Sequence, residues 1–262
     1  MTATPKILYC HCACADTVPA DVKEAVLDGL GAGGAAFEAV ADLCGLAARR
    51  DPALARFARV RGLHVVACYP RAVRWLFEYA GAPLGEDATI HNMRRSGAAD
   101  ILARLAPYEQ LAPREHTGGN PPPPPAARPT FAETPPDDWV PWFPVIDYAR
   151  CKNCKQCLEF CLFGAYALGP DGRVRVAAPD LCKLNCPACA RVCPSSAIIF
   201  PKFPEGGPIA GDDGVLPGVS EDGLKADLAR LAKGDVMDLL RRRAARARTA
   251  AAKKYPQEPP RP

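Results

Sequence analysis

Two short stretches, residues 151–161 (CKNCKQCLEFC) and residues 182–194 (CKLNCPACARVCP), contain eight of the 13 cysteines of this chain. Their spacings are C-x2-C-x2-C-x3-C and C-x3-C-x2-C-x3-C-P. Three closely spaced cysteines can turn toward three corners of one iron-sulfur cube, whereas the fourth ligates the cube of the other run. The spacing therefore predicts two [4Fe-4S] clusters. The first thiol set is Cys151, Cys154, Cys157 and Cys193, and the second thiol set is Cys182, Cys186, Cys189 and Cys161.

Two other uses of these cysteines fit the spacing less well. Structural zinc sites generally use two separated pairs of ligands, so the third and fourth cysteines of each run would be surplus. Disulfides would need an oxidising compartment. The cluster interpretation is therefore favoured over both.

The two runs resemble the two-cluster bacterial ferredoxins, and the resemblance covers residues 143–202. It implies an α+β ferredoxin-like dicluster domain that carries electrons. The sequence departs from the family at Leu162, where a proline is usual. It also departs between Cys182 and Cys186, which are separated by three residues instead of two. Neither departure removes a ligand, although the wider gap can alter one loop and the potential of its cluster.

The composition is that of a globular chain. A length of 262 residues allows one or two domains. The net charge of +4 and the 48% hydrophobic content are ordinary, whereas 29 prolines predict much irregular structure. Residues 1–9 lack the pattern of a secretory signal, and no apolar run is long enough for a membrane helix. We therefore expect a cytoplasmic protein without a membrane segment.

Residues 6–106 alternate between strand and helix patterns, which predicts an α/β domain with a small parallel sheet and flanking helices. A helix starting at Pro52 is predicted to be capped by Asp51 and to end before Gly62. A further helix contains Val73, Leu76 and Phe77. The remaining predicted elements are the strands Ile7–Tyr9, Phe37–Leu43, Leu63–Ala67 and Thr89–Met93 and the helices Ala20–Leu30 and Ala98–Leu105.

Three cysteines follow predicted strands of this domain. Cys10, Cys44 and Cys68 each stand at the end of a different strand, and Cys12 and Cys14 add thiols to the first loop. The carboxyl ends of parallel strands meet at one edge of a sheet, where ligands bind. Any single one of these cysteines could be an ordinary buried residue. Their shared position predicts a third iron-sulfur cluster.

Four segments of this domain resemble the amino-terminal iron-sulfur domain of the heterodisulfide reductase A subunit. They are Cys10-His11-Cys12, Cys44-Gly45-Leu46, Val66-Ala67-Cys68-Tyr69-Pro70-Arg71 and Asn92-Met93-Arg94. The resemblance implies a [4Fe-4S] cluster ligated by Cys10, Cys12, Cys44 and Cys68, with Cys14 as a substitute ligand or a free thiol. The large flavin-binding portion of that family is missing from this sequence.

No flavin or nicotinamide site is identified. Gly29, Gly31 and Gly34 match the spacing of a dinucleotide loop, but here the glycines follow a helix and precede a strand. A helix end and loop explain them better. His11 is a candidate ligand or hydrogen-bond donor beside the thiols, whereas His64 is read as an ordinary, partly packed histidine.

Residues 107–142 form a proline-rich linker. The run Pro121–Pro125 favours an extended semi-rigid spacer, with a proline-rich recognition site for another protein as the alternative. Trp139, Trp142 and Phe143 are too apolar for a free linker. We expect them to fix the spacer to one of the two domains.

The second cysteine-rich domain also contains strand signals and positive charge. Segments 165–168 and 173–176 flank Gly169-Pro170-Asp171-Gly172 and predict a hairpin, and segment 197–200 predicts a further strand. The cysteine runs contain Lys152, Lys155, Lys183 and Arg191. These charges either ease reduction and steer an acidic redox partner or simply keep the surface solvated.

Residues 203–262 are predicted to wrap the surface up to residue 219 and then to form a helical basic tail. Ser220 can cap a helix carrying Leu224, Leu228 and Leu231. A second helix beyond Asp235 ends in an arginine-rich stretch, residues 241–248. Binding of nucleic acid by this stretch is disfavoured, because aromatic residues do not interrupt it and the rest of the chain is not basic.

The sequence as a whole predicts an electron-transfer protein or subunit with domains at residues 1–106 and 143–202. A catalytic pair of nucleophile and base is not identifiable, so a carrier is favoured over an enzyme. Expected partners are a dehydrogenase, a hydrogenase or a flavoprotein. The alternatives are an electron-input component of a heterodisulfide-reductase-like complex, or a redox sensor whose basic tail contacts nucleic acid.

Overall fold

The computed structural model describes residues 5–33, 36–109, 129, 131 and 139–216. The chain divides into an amino-terminal unit, residues 1–138, and a carboxyl-terminal unit, residues 139–262. The predicted proline run at Pro121–Pro125, the helix at Ser220 and the arginine-rich stretch lie outside the described residues. No helix among the described residues is both long and apolar enough to cross a bilayer.

A four-stranded sheet forms the centre of the amino-terminal unit. Its strands are β1 (Ile7–Cys10), β2 (Phe37–Val40), β3 (His64–Ala67) and β4 (Thr89–Asn92). Their order is β2-β1-β3-β4, and each neighbouring pair is parallel, which confirms the predicted sheet type. The central strands β1 and β3 are buried along their whole length, as is typical of strands covered on both faces.

Parallel strands need crossover connections, and helices provide them here. Within the described part of this unit, the five helices are α1 (Ala20–Gly33), α2 (Leu43–Ala48), α3 (Pro52–Ala58), α4 (Pro70–Tyr79) and α5 (Ala98–Glu109). The predicted cap of α3 is confirmed, because the Asp51 carboxylate accepts a hydrogen bond from the Ala53 amide and Pro52 occupies the first helical position. Gly62 follows in the turn before β3, with φ of 63°.

The predicted strand Phe37–Leu43 is wrong at its carboxyl end. Strand β2 stops at Val40, and the side chain of Asp42 accepts a hydrogen bond from the Gly45 amide at 2.9 Å. This contact satisfies one of the amides at a helix start, so α2 begins at Leu43. Cys44 is therefore a helical residue and does not end a strand.

Helix α1 is longer than predicted and includes two glycines of the discounted dinucleotide-like pattern. Gly29 and Gly31 both lie inside α1, which runs to Gly33. A Cβ atom at Gly29 would overlap the end of the Leu102 side chain in α5. Gly29 thus permits the close approach of α1 and α5, whereas a Cβ at Gly31 would meet no atom within 4 Å.

Strands β3 and β4 carry a buried pair of histidines. His64 Nδ1 and His91 Nε2 are 3.0 Å apart, and both residues are 4% exposed. Burial lowers the pKa of each, with Lys6 adding to the effect at His64. His64 and Arg104 act further on His91, whose pKa falls to about 4. His64 is thus fully buried and paired, beyond the partial packing that its sequence position suggested.

The carboxyl-terminal unit is built from short strand pairs. Its helices are α6 (Gln156–Phe160), α7 (Ala188–Arg191) and α8 (Gly207–Ala210). Strands β5 (Val145–Ile146) and β8 (Ile198–Ile199) pair antiparallel, as do β6 (Tyr166–Leu168) and β7 (Val174–Val176). The second pair confirms the predicted hairpin. Gly172, with φ of 70°, closes its turn by donating to the carbonyl of Gly169.

The aromatic residues at the start of this unit belong to its core. Trp142 and Phe143 are buried, and the Trp142 ring lies 5.3 Å from that of Phe200. The predicted surface wrapping of residues 203–219 also differs from the structure at its start. Ile209 and Ala210 are buried, and the Ile209 carbonyl accepts a hydrogen bond from the Phe200 amide. The packed part of this unit therefore extends beyond residue 202.

We expect Gly31→Ala to be more stable than Gly29→Ala by about 1 kcal/mol or more. Both changes improve helix propensity by up to about 1 kcal/mol. Only the change at Gly29 displaces Leu102 from α1. Denaturant unfolding of the two variants measures the difference, and equal stabilities would contradict the packing described for α1 and α5.

We also expect the amino-terminal unit to lose stability as the pH falls from 6.5 to about 4, the ordinary and the lowered pKa of His91. In that range the unfolded chain binds a proton that the folded chain excludes, at a cost on the order of 3 kcal/mol. Hydrogen exchange of peptides covering β3 and β4, corrected for intrinsic rates, measures this loss. The control His91→Gln cannot titrate, so an unchanged pH slope in that variant would refute the assignment.

Candidate metal centres

The four cysteines of the first thiol set line one cavity in the carboxyl-terminal unit. Its empty volume is about 310 Å³, part of it open solvent. Cys157 lies in α6, and Cys193 follows α7. The structure therefore brings Cys193 beside the three cysteines of the first run. The other lining residues are Lys152, Asn153, Lys155, Gln156, Val174, Ser195 and Ile198.

The cysteines of the second thiol set also lie near one another. Burial raises the pKa of Cys182 to about 12, and the neighbouring Cys161 and Cys186 add to the rise. Burial also raises the pKa of Cys189. Cys182, Cys161 and Cys186 raise it further, whereas a hydrogen bond from the Tyr166 hydroxyl lowers it. Each of these cysteines affects the pKa of another, as expected for thiols that lie near one another.

The two thiol sets adjoin each other at Cys157 and Cys189. Burial raises the pKa of Cys157, and the largest charge effect on it comes from Cys189, ahead of the cysteines of its own set. Closely packed, buried thiols resist ionisation because each thiolate would repel the others. A bound cation reverses this, since a coordinating thiol is deprotonated by the metal. The donor set thus fits a cationic iron-sulfur group at each site.

The sulfurs of the first thiol set line a cavity. Within the described ranges, no group of three or more His, Cys, Asp or Glu side chains is close enough to hold a single metal ion. A [4Fe-4S] cube takes its four thiolates at four different irons. Its ligands therefore enclose the cube, as the first thiol set encloses its cavity.

The two runs use the same turn before their second cysteine. Asn153 and Asn185 both have positive φ, of 54° and 58°. Asparagine is one of the few residues other than glycine that adopt this left-handed conformation readily. Because the two asparagines correspond, the extra residue of the second run lies between Cys182 and Asn185. The enlarged loop carries Leu184, which is 50% exposed.

Asn153 ties the first cysteine loop to the β6–β7 hairpin. Its Nδ2 donates to the Gly172 carbonyl at 3.0 Å, and its Oδ1 accepts from the Val174 amide at 3.0 Å. These bonds use both ends of the side-chain amide. These two hydrogen bonds therefore fix the loop before Cys154 against the β6–β7 hairpin.

Asp147 holds the turn before Cys151 in place by hydrogen bonds. Its buried carboxylate accepts hydrogen bonds from the amides of Ala149 and Arg150, and its carbonyl accepts one from the Cys151 amide at 2.9 Å. The Arg150 guanidinium donates in turn to the carbonyls of Asp213 and Gly214. The turn before Cys151 is therefore held by the contacts of Asp147 and by those of Arg150.

Two sulfurs of this unit accept hydrogen bonds from donors with defined positions. The Ala197 amide donates to Cys193 Sγ at 3.2 Å, and the Tyr166 hydroxyl donates to Cys189 Sγ at 3.1 Å. Burial raises the pKa of Tyr166, so its hydroxyl keeps its proton. Donors of this kind stabilise negative charge on sulfur and tune an attached cluster.

The amino-terminal cysteines gather at the carboxyl edge of the parallel sheet. Cys10 ends β1, and Cys68 follows β3 directly. Cys44 is the second residue of α2, and the Leu43 amide before it donates to Cys10 Sγ at 3.3 Å. Burial raises the pKa of Cys10, and Cys12, Asp42 and Cys68 raise it further. The strand order β2-β1-β3 thus places these thiols in one neighbourhood.

The loop after β1 remains attached to the sheet. The amides of His11 and Ala13 donate to the carbonyls of Val40 and Ala41, each at 2.9 Å. Between them Cys12 adopts a φ of 53°, and its sulfur lies 3.7 Å from Thr17 Oγ1. Cys12 is buried, whereas Cys14 is only half-buried.

His11 has side-chain contacts of its own. Its ring stacks on Phe131 with 4.3 Å between centroids, and its Nδ1 lies 3.2 Å from the Tyr9 hydroxyl. Its Nε2 is 4.0 Å from a carboxylate oxygen of Glu24. These contacts orient the imidazole beside the cysteine loop, and its predicted role as ligand or donor stays a prediction.

Two of the segments that suggested a heterodisulfide reductase resemblance are neighbours in the structure. The Met93 amide donates to the Ala67 carbonyl at 2.8 Å. The guanidinium groups of Arg94 and Arg95 lie 4.9 Å and 5.7 Å from the centre of the Tyr69 ring. The residues after β3 and β4 thus pack together at the edge that carries the thiols.

Comparison with known proteins identifies the cysteine-rich part of the chain. Over 63 residues, 24% of this chain and 42% of the relative, it is 48% identical to an uncharacterized ferredoxin of Methanocaldococcus jannaschii. Over 60 residues it is 33% identical to pyruvate synthase subunit PorD of the same organism, covering 23% of this chain and 67% of that subunit. Through this segment the chain belongs to the iron-sulfur ferredoxins.

The ferredoxin segment accounts for about a quarter of the chain, and the chain spans less than half the length of the first relative. No family model matches the sequence. No solved structure matches it either. The likeness to ferredoxins supports iron-sulfur clusters as the cofactor and electron transfer as the role of this segment. The heterodisulfide reductase resemblance of the amino-terminal unit stays a prediction.

Sequence reasoning missed three residues that shape these surroundings. Tyr166 was read only as part of a strand, and nothing in its spacing indicates a bond to sulfur. Asp147 carries no motif, although an aspartate followed by a turn before a cysteine run is a usable signal. His91 was read only as part of a weak strand, and only the register of β3 and β4 brings it to His64.

Proposed function

We propose that this chain relays electrons through two [4Fe-4S] clusters held by the two thiol sets and through a third cluster at the amino-terminal sheet edge. The observation that carries the proposal is the cavity lined by all four cysteines of the first thiol set. Helix α6, which contains Cys157 of that set, packs against α7, which contains Cys189 of the second set. Adjacent sites allow an electron to pass between them without leaving the protein. A bound cluster of this type accepts and releases one electron at a time.

The chain supplies three things to these sites. Thiols give the ligands, with Cys157, Cys189 and Cys193 buried, and donors such as the Ala197 amide offset negative charge on sulfur. Hydrogen bonds at Asn153 and Asp147 hold the loops of the first site in position. Fixed ligands reduce the rearrangement that accompanies a change of charge, and this favours fast electron exchange.

The third cluster is proposed from the thiols at the carboxyl edge of the β2-β1-β3 strands. Cys12 and Cys68 are close enough to Cys10 to raise its pKa, and Cys44 is next to the amide that binds Cys10 Sγ. This set is the one that the resemblance to heterodisulfide reductase implied. Cys14, which is half-buried in the same loop, is proposed to lie outside the ligand set.

The partners that we propose are redox proteins such as a dehydrogenase, a hydrogenase or a flavoprotein. Support comes from the likeness to PorD, which is named as a subunit of pyruvate synthase. The same likeness favours a second candidate function, in which this chain is the electron-input component of a larger oxidoreductase. Co-purification with a flavoprotein in fixed stoichiometry distinguishes that component from a freely diffusing carrier.

The first thiol set offers the more accessible point of electron exchange. Cys154 is exposed, whereas each cysteine of the second set is at least half-buried. Lys152 and Lys155, also exposed, flank Cys154 in the cavity lining. Positive charge beside Cys154, at the open side of this cavity, would attract an acidic redox protein and orient it toward the cluster.

Anaerobic reconstitution tests the cluster count. We expect about twelve irons per chain, at four per cubane, and about eight if only the two ferredoxin sites are loaded. Cys68→Ser is expected to remove about four irons and one set of paramagnetic signals from the reduced protein. Iron and sulfide analysis with paramagnetic resonance gives both numbers.

The matched control for Cys68→Ser is Cys14→Ser, in the same unit. The proposed ligand set predicts full iron content in this control. Loss of iron from Cys14→Ser together with full iron in Cys12→Ser would make Cys14 the ligand. A Cys68→Ser protein with full iron would remove Cys68 from the site, and colourless protein with zinc in both thiol sets would end the electron-transfer proposal.

We expect charge reversal at Lys152 and Lys155 to slow electron transfer to an acidic flavodoxin by about tenfold or more at low salt, because electrostatic steering is lost. Stopped-flow mixing at several ionic strengths measures the rate constant. The control reverses Lys183 and Arg191, which are equally exposed and lie in the other cysteine run. Equal slowing in both variants would mean that only net charge matters, and no slowing in either would rule out this docking face.

A further inference from the structure

The Tyr166 hydroxyl is a buried donor aimed at one particular sulfur. It lies 3.1 Å from Cys189 Sγ, and the two residues are 2% and 7% exposed. Tyr166 is the first residue of β6, where it pairs with Val176 of β7. A buried hydroxyl without a partner is costly, so this contact fixes the ring as well as the sulfur.

The ferredoxin segment repeats its architecture, and a tyrosine stands at this position in one of the two halves. In the other half the contacts to sulfur come from different positions, with the Ala197 amide donating to Cys193 Sγ and Ser195 Oγ lying 3.7 Å from the same sulfur. Tyr166 stands five residues after Cys161, and Ile198 stands five residues after Cys193. The two residues open β6 and β8, so they are equivalent positions of the two halves. Ile198 lines the cavity of the first thiol set. The same position therefore gives a hydroxyl to the second set and an aliphatic side chain to the first.

A hydrogen bond to a ligating sulfur favours the more negative state of the attached group, which is the reduced one. The effect is larger in a buried site, because low local dielectric strengthens the bond. Exposed charges such as Lys152 act on the first thiol set through solvent and are weakened by salt. The hydroxyl of Tyr166 has no such screening between it and Cys189.

We propose that Tyr166 raises the reduction potential of the second thiol set's cluster by donating a hydrogen bond to Cys189, from a position that Ile198 occupies beside the first set. The inference rests on the proposed function, since it requires a cluster at that site. No bond is made or broken, the proton stays on the phenol oxygen, and one electron is gained by the site from whichever reductant is used. Electrons arriving at the exposed first set are thereby biased toward the second.

Tyr166→Phe removes the hydroxyl and keeps the ring. In the reconstituted protein, titrated with dithionite and followed by paramagnetic resonance, one of the two ferredoxin couples should move to a more negative potential. A roughly tenfold change in the ratio of reduced to oxidised protein corresponds to ~59 mV for a one-electron couple. The other couple should not move.

Tyr148→Phe is the matched control. Its hydroxyl donates to the Val174 carbonyl at 3.0 Å, and Val174 lines the cavity of the first set, but it does not bind a sulfur in that contact. The same chemical change should therefore leave both couples in place. A shift of equal size in Tyr148→Phe would mean that loss of any nearby hydroxyl, and not the bond to sulfur, moves the potential.

A second variant keeps the ring and reverses the sign of the effect. Site-specific incorporation of 3,5-difluorotyrosine at position 166 makes the hydroxyl a stronger donor, so the same couple should move to a more positive potential. This result decides the matter if Tyr166→Phe fails to hold its iron. Two intact couples that move in neither variant overturn the proposal and leave the electron-transfer function standing, whereas protein without iron-sulfur signals overturns both.

Discussion

Buried thiols that would repel one another once ionised impose the main constraint on the carboxyl-terminal unit. Cys157 and Cys189 lie on the contacting helices α6 and α7, in a region with only two-residue and three-residue strands around them. Such a unit has little regular secondary structure of its own. Its stability is therefore tied to the cation that turns the thiols into thiolates, and metal binding and folding become one equilibrium. Hydrogen bonds at Asp147 and Asn153 hold the cysteine loops in place, which reduces the conformational entropy that these loops lose when the metal binds.

In the amino-terminal unit the cysteines are also brought together, but a regular sheet positions them. There the sheet exists without the thiols, because β1 and β3 are buried hydrophobic strands covered by helices. The cysteines are additions to the ends of that sheet, brought together by strand order and by the early start of α2. One unit is organised by its ligands, and the other would keep its architecture if they were removed.

Spacing and periodicity predicted most of this architecture. The alternation of apolar runs and helical patterns predicted the parallel sheet. The cysteine intervals predicted the two thiol sets, and the four cysteines of the first line one cavity. Local hydrogen bonding was harder to anticipate, since the side chain of Asp42 ends β2 early and starts a helix at Leu43. Contacts between distant positions, such as Gly29 with Leu102 or Tyr166 with Cys189, leave no periodic signal in the sequence. They depend on which elements become neighbours.

The hydrogen bonds from Arg150 to the carbonyls of Asp213 and Gly214 limit where the ferredoxin segment can be cut from the rest of the chain. Ser196 reinforces it by accepting a hydrogen bond from the Leu216 amide. A fragment cut at residue 202 would remove these partners of Arg150 and Ser196, together with the Ile209 carbonyl that accepts a hydrogen bond from the Phe200 amide. A fragment that keeps the turn before Cys151 and the end of β8 in place therefore has to include residues 209–216.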